Sequence, residues 1–198
     1  NTVKSRTLLD SAVKAGIPRF IFSSTAAVYG NPLTRPVFET EAPAPISPYG
    51  TSKLMTEWML RDTHAAHGLD YVALRYFNVA GADPKGRCGQ STPRATHLIK
   101  VACQTALGQR QSMDIFGTDY DTPDGTCLRD YIHVSDLIAA HADALVHLRK
   151  GGDSGIFNCG YGKGYSVLEV IKAVERVNGA SLDWRMAPRR AGDPARIV

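Results

Sequence analysis

VKSRTLLDSAVKAGIPRFIFSS (residues 3–24) decides the fold. Its first part sets Val3, Leu8, Leu9, Ala12 and Val13 on one helical stripe, and Gly16 and Pro18 supply a stop. RFIFSS (19–24) then reads as a short apolar strand. The pair recurs downstream. Residues 49–66 resume a helical period through Leu54, Trp58 and Leu60, Gly68 closes it, and DYVALRYF (70–77) is the next strand. Helix, strand, helix, strand, with helical connectors, predicts a parallel sheet covered by helices. The stretch between the two units holds Pro32, Pro36, Pro43, Pro45 and Pro48 and is too interrupted for regular structure.

Past residue 77 the elements shorten. NVAGADPKGRCGQSTP (78–93) reads as a polar loop, 94–107 as a helix, MDIFG (113–117) as a strand, DTPDGT (121–126) as a turn and CLRDYIHV (127–134) as a strand. SDLIAAHADALVHL (135–148) reads as a helix capped by Ser135 with Asp136 in its first turn. GIFNCG (155–160) is a further strand, and SVLEVIKAVERVNG (166–179) a helix with a Ser166/Glu169 capping box. Short mixed elements and long loops point to a smaller lobe beside the sheet.

Composition narrows the function classes. The 198 residues are 43% hydrophobic and 21% charged, ordinary for a soluble globular chain rather than a disordered one. The net charge of +4 is scattered, without the basic stripe of a nucleic-acid binder, and fits small anionic ligands better. Cys88, Cys103, Cys127 and Cys159 stand far apart with no CxxC, so neither a zinc site nor a disulfide framework is expected, and no metal. Apolar runs are strand-sized, short of the roughly 20 residues of a membrane span, and no signal peptide appears. The expected location is cytoplasmic.

Tyr49-Gly-Thr-Ser-Lys53 is the first chemical candidate. At i and i+4 the two side chains share a helix face. A lysine ammonium beside a phenol favours the phenolate and would lower the tyrosine pKa, making a proton-transfer unit. Taken alone, the pair is more often a surface tyrosine and a solvated lysine. Upstream, Ser23-Ser24-Thr25 ends a strand, placing hydroxyls where open α/β sheets bind ligands, or simply capping the strand end. His64 and His67 form HxxH near a helix end with no third ligand in evidence, so charge at a helix C-terminus is the favoured role.

FSSTAAVYG (22–30), PYGTSK (48–53) and LRYFN-x-x-G (74–81) resemble the extended branch of the short-chain dehydrogenase/reductase superfamily. With IFG-x-DY-x-T-x-DGT-x-x-RDYIHV (115–134) and APRR-x-GD (187–193), the order is similar to that of the UDP-glucose 4-epimerase family across the whole chain. The resemblance implies an α/β fold: the back half of a Rossmann-like doubly wound parallel sheet plus part of a smaller α/β substrate lobe. Residues 1–78 would be the C-terminal part of an NAD-binding Rossmann domain. Residues 79–198 would be mainly a UDP-sugar lobe, with some segments returning to the Rossmann domain.

It also implies an activity: UDP-glucose and UDP-galactose interconverted by transient oxidation at sugar C4 with NAD as cofactor, rotation of the 4-keto sugar, and re-reduction. By motif position Tyr49 would accept and donate the proton. Lys53 would bind the nicotinamide ribose and depress the Tyr49 pKa, Thr25 would hydrogen-bond the sugar oxygen, and Phe77 would contact the nicotinamide. Asn78, His97 and Leu98 would meet the nucleotide sugar, His97 standing where relatives often carry Asn. Arg129 and Arg190 would bind the diphosphate, as planar guanidinium groups suit it. Asp193 would bind ribose hydroxyls, Phe116 and Tyr131 would line the uridine pocket, and Ile197 falls where relatives vary the bulk against the sugar.

Partners would be a UDP-sugar and a second copy through a helix pair that includes the Tyr49 helix, with no nucleic acid and no membrane. Dehydratases and decarboxylases of the superfamily need an acid after the Ser/Thr pair; Ala26 and Ala27 stand there. A 4-epimerase of another UDP-sugar (N-acetylhexosamine, pentose or uronic acid) and a non-catalytic nucleotide-binding relative remain alternatives. The Gly-rich pyrophosphate fingerprint is not found in residues 1–198, and the resemblance places it before Asn1. The expectation is therefore a piece of a longer chain that alone neither retains NAD nor turns over substrate.

Overall fold

The computed structural model describes residues 2–33 and 36–198; Asn1, where the expected first domain begins, lies outside them. In chain order the elements are α1 (Thr2–Lys14), β1 (Arg19–Thr25), a 3₁₀ turn (Ala26–Tyr29), α2 (Pro48–His67), β2 (Asp70–Tyr76) and β3 (Asn78–Ala80). There follow α3 (Leu98–Ala106), β4 (Met113–Phe116), β5 (Leu128–His133), α4 (Val134–Arg149), β6 (Gly155–Cys159), β7 (Gly164–Ser166), α5 (Val167–Asn178), β8 (Trp184–Ala187) and β9 (Arg196–Ile197).

β1, β2 and β6 form a parallel sheet with β2 in the middle, Thr25 level with Tyr76 and Tyr76 level with Cys159. Strand alternation explains the uninterrupted apolar reading of β2. Val72 and Leu74 pack with Leu137, Ala144 and Leu148 of α4 on one face. Tyr71 and Ala73 pack with Leu9 of α1 and Leu60 of α2 on the other. A sheet covered on both faces has no polar side to alternate with. Each fully buried Leu or Val stabilises this sandwich by about 1.5–3 kcal/mol. All three strands end, in the parallel sense, at one edge.

β5 is the hub of the second sheet. It pairs with β3 in parallel, with β7 antiparallel and with β9 in parallel, Arg129 standing opposite Ile197 and Tyr131 opposite Asn78. β4 and β8 form a parallel pair closed by α3 and α5 around Ile115, Ala102, Ile171 and Leu182. Among the described residues no helix is long and apolar enough to cross a membrane.

Several expectations at residue level need correction. The segment after residue 77 begins with the strand β3 rather than a loop, because β5 offers it a backbone edge. α3 starts at Leu98, not 94. α4 is capped by His133, whose Nδ1 accepts the Ser135 N–H, rather than by Ser135. The stretch after β1 opens with a 3₁₀ turn, capped by Thr25 Oγ1 accepting from Ala27 N at 3.2 Å. The Ser166/Glu169 capping box of α5 is present with both bonds formed.

Candidate active site

The C-terminal edge of the first sheet opens into a cleft of about 650 Å³. Thr25 reaches it from the end of β1, Phe77 from just past β2, Asn78 from the start of β3, and Tyr49 from the first turn of α2. That turn is built for the task. Ser47 Oγ accepts the Gly50 N–H at 3.1 Å, and Pro48 at the first helical position loses no hydrogen bond. Tyr49 is thereby held at a helix terminus while still 49% exposed.

Burial raises the Tyr49 pKa above 10; a hydrogen bond with the Thr25 hydroxyl pulls it down, and Tyr76 nearby adds to the rise. Lys53 lies one helical turn on from Tyr49. Its Nζ donates to the Ser23 carbonyl at 2.8 Å and stands 5.9 Å from the Tyr49 ring centre. Burial lowers the Lys53 pKa. Desolvation of the Tyr49 phenol thus outweighs the favourable contact with Thr25.

The cleft continues past Asn78 to His97, and an adjoining recess of about 380 Å³ is lined by Asn78, His97, Leu98 and Tyr131. Gln90 Nε2 lies 2.8 Å from His97 Nδ1. Burial pushes the Tyr131 phenol up to about 12, so it is neutral at physiological pH.

The remaining predicted residues form a second patch. Arg129 Nη2 lies 3.6 Å from Asp193 Oδ1, and the Arg190 guanidinium stacks 3.7 Å from the Phe116 ring centre. A turn joins the two pairs, Asp193 N donating to Arg190 O at 3.4 Å. The patch adjoins the cleft through β9, because Ile197 pairs with Arg129 and its side chain lines the cleft with Thr25 and Tyr49. Two arginines beside a cleft with hydroxyls at its far wall suit an elongated anion with a polar end.

Two features have consequences for chemistry. Ala26 and Ala27 line the cleft where an acid would serve elimination, and Asp83, also on the wall, is bound by Arg87 Nε at 2.6 Å. That bond, with the backbone N–H groups of Arg87 and Lys85, holds the Asp83 carboxyl below its usual range as a carboxylate. It is a poor proton donor. His64 and His67 lie in the last turn of α2, His64 Nδ1 donating to Leu69 O at 3.2 Å. Among the described residues no three His, Cys, Asp or Glu side chains could hold a metal. All four cysteines are free.

Sequence reading missed the support beneath the site. Glu57, Arg75 and Tyr29 form a buried polar network, with Arg75 Nη2 donating to Glu57 Oε2 at 2.6 Å and Nη1 to the Tyr29 hydroxyl at 2.8 Å. An arginine inside the apolar strand ALRYF was the available signal, since a charge there must have a buried partner.

Comparison with known proteins agrees with the motifs. Residues 1–160 match the NAD dependent epimerase/dehydratase family. UDP-glucose 4-epimerase of Azospirillum brasilense is 63% identical over 198 residues, all of this chain and 57% of that protein. The structure of Brucella ovis UDP-glucose 4-epimerase in complex with NAD superposes with a TM-score of 0.92 at 46% identity, over 98% of this chain and 59% of that one. The Bifidobacterium longum enzyme, in complex with NAD+ and UDP, gives 0.91 at 42%, over 98% and 58%. The chain thus spans somewhat over half the length of these relatives. A family match covering both the Tyr49 helix and the Arg129 strand, with relatives of this identity, means that the chain belongs to the NAD dependent epimerase/dehydratase family.

Proposed function

We infer that the full-length protein is an NAD-dependent UDP-glucose 4-epimerase, interconverting UDP-glucose and UDP-galactose. The observation that carries this reading is the meeting of the Thr25 and Tyr49 hydroxyls in a cleft that runs toward a two-arginine patch. The nicotinamide–ribose end of NAD fits the residues present. Phe77, Ala26 and Ala27 offer it an apolar wall, and Thr25 and Tyr49 offer hydroxyls beside that wall. NAD, when bound, supplies the redox chemistry, taking a hydrogen with its electron pair from sugar C4 and returning it.

The chain's own residues handle protons and position. Tyr49 takes the C4 hydroxyl proton as the carbonyl forms and returns it as the alcohol is restored. Thr25 hydrogen-bonds the same sugar oxygen and, by its bond to the phenol, works against the burial that makes Tyr49 a weak acid. Lys53 holds the nicotinamide ribose from its place against the Ser23 carbonyl, and its ammonium favours the Tyr49 phenolate. Arg129 and Arg190 neutralise the diphosphate and anchor the nucleotide while the 4-keto sugar turns over in the cleft. Asp193 binds ribose hydroxyls, Phe116 and Tyr131 border the uracil, and Asn78, His97 and Leu98 line the passage between. Elimination is disfavoured because Ala26 and Ala27 carry no acid and Asp83 is held ionised by Arg87.

The two lobes divide near residue 78 in this reading, and a second copy docks on α1 and α2, whose Val3, Leu8, Met55 and Trp58 are exposed. The experiment is to incubate the full-length protein with UDP-galactose, without added NAD, and follow the anomeric signals by proton NMR. A UDP-glucose/UDP-galactose mixture is expected. No conversion even after NAD is supplied would overturn the reading and direct attention to Ile197 and another UDP-sugar.

A further inference from the structure

We propose that Glu57 is a positioning residue for this reaction: through Ser24 and Arg75 it sets where the Thr25 and Tyr49 hydroxyls stand relative to each other. The proposal rests on the site reading above and extends it to residues that never touch the cleft.

Tyr49, Lys53 and Glu57 follow one another at intervals of four along α2, on the face turned to β1. Their bonds advance along β1 in step. Lys53 Nζ donates to Ser23 O at 2.8 Å, and Ser24 Oγ donates to Glu57 Oε1. Thr25 is the next residue. The chain after Thr25 is held by the same carboxylate at one remove. Arg75 grips Glu57 with two nitrogens, Nε to Oε1 at 3.0 Å and Nη2 to Oε2 at 2.6 Å, and donates with Nη1 to Tyr29, the last residue of the 3₁₀ turn. Tyr29 in turn donates to Asn158 Oδ1 on β6 at 2.8 Å. Thr25 is thus bracketed by two contacts that converge on Glu57, while Tyr49 rides on the helix that carries Glu57.

Stability alone is a poor account of this arrangement. Glu57 is 2% and Arg75 3% exposed, and a buried ion pair is often no more stabilising than apolar residues of equal volume. An apolar pair would fill the space yet let α2 slide along the sheet. The forked, directional bonds permit one register. A sub-ångström register between two hydroxyls is what proton transfer requires and what packing alone does not supply.

The test uses three variants of the full-length protein. Ser24→Ala removes one hydroxyl and cuts the tie to β1. Glu57→Gln sets an amide NH₂ against an arginine donor. Glu57→Met with Arg75→Met replaces the pair by apolar volume. All are assayed for kcat, KM for UDP-galactose and thermal unfolding. Tyr49 ionisation is read by ultraviolet difference absorbance against Tyr49→Phe.

Ser24→Ala and Glu57→Gln are expected to lose about tenfold or more in kcat with KM within about twofold, and to shift the Tyr49 titration to higher pH as Thr25 drifts from the phenol. The double variant, which also leaves the buried Ser24 hydroxyl without its acceptor, is expected to fold with a Tm within a few degrees of wild type without recovering kcat. Wild-type kcat in the double variant, or an unmoved Tyr49 titration in Ser24→Ala, would overturn the proposal. If Glu57→Gln fails to fold, Ser24→Ala decides. A wild-type protein inert toward UDP-galactose would refute the activity and leave the Tyr49 titration, which needs no turnover, to judge the positioning.

Discussion

Gly50→Ala should cost far more activity than stability. Gly50 follows Tyr49 in the first turn of α2, directly against the 3₁₀ turn that follows Thr25. A Cβ there would lie 2.5 Å from Ala27 O, 3.0 Å from Pro45 Cβ and 3.1 Å from Ala27 C. The first and last are backbone atoms, so no side chain can swing away. Restoring an ordinary contact requires α2 and the 3₁₀ turn to part by about 0.9 Å, and that parting separates Tyr49 from Thr25.

Two opposing terms set the stability. Overpacking costs about 1–3 kcal/mol, and alanine's higher helix propensity returns about 0.8–1.0 kcal/mol. The net is roughly 0–2 kcal/mol, a few degrees in Tm for a chain of this size. Misplacement of reacting groups by about 1 Å, in contrast, costs on the order of 100-fold in rate. The assay is kcat for UDP-galactose conversion beside thermal unfolding of the full-length protein. A kcat within about threefold of wild type would refute the reasoning, because the two hydroxyls would then tolerate separation.

Three further outcomes are expected. Tyr49→Phe keeps UDP-sugar affinity by calorimetry but loses most turnover, since the proposed anchors are Arg129 and Arg190; near-normal turnover would remove Tyr49 from the mechanism. Arg129→Ala weakens binding of UDP itself as well as UDP-sugar, and unchanged UDP affinity would exclude it from the diphosphate site. Asp130 is fully buried, and desolvation raises its carboxyl above the usual range although Tyr161 and Gly162 N–H groups bond it. Its contribution is therefore present below the unfolded pKa of about 3.9 and lost as pH rises through the folded value. Asp130→Asn keeps an oxygen for both N–H groups and abolishes that loss. Its stability relative to wild type should rise with pH above about 4 in denaturant titrations, and a difference flat with pH would contradict the assignment.

The sheet was legible because both of its faces are covered. FIF and VAL in β1 and β2 are continuous apolar runs between helices with clear stops, so element type and order follow from pattern alone. β3, β7, β8 and β9 were not legible, since two to four residues carry no periodicity and owe their conformation to β5 and β4 alongside them. Tyr49 and Thr25 announced themselves through motif wording. The i, i+4 spacing of Tyr49 and Lys53 fixes a shared helix face, but not which acceptor the lysine finds, and it finds the Ser23 carbonyl. Arg75 is legible as a charge in an apolar strand, but its partner stayed hidden, because Glu57 reads singly as an ordinary helix charge and only folding brings the two together across 18 positions.

The central claim is that hydrogen leaves C4 and comes back to C4 while Tyr49 moves only the hydroxyl proton. UDP-galactose deuterated at C4, incubated with the full-length protein in ordinary water, tests it most directly. The account predicts UDP-glucose with the deuterium still on C4, because that hydrogen never passes through Tyr49 or solvent. UDP-glucose bearing protium at C4 would contradict it, since C4 would then exchange with water and the site would be working as a carbon acid–base catalyst instead.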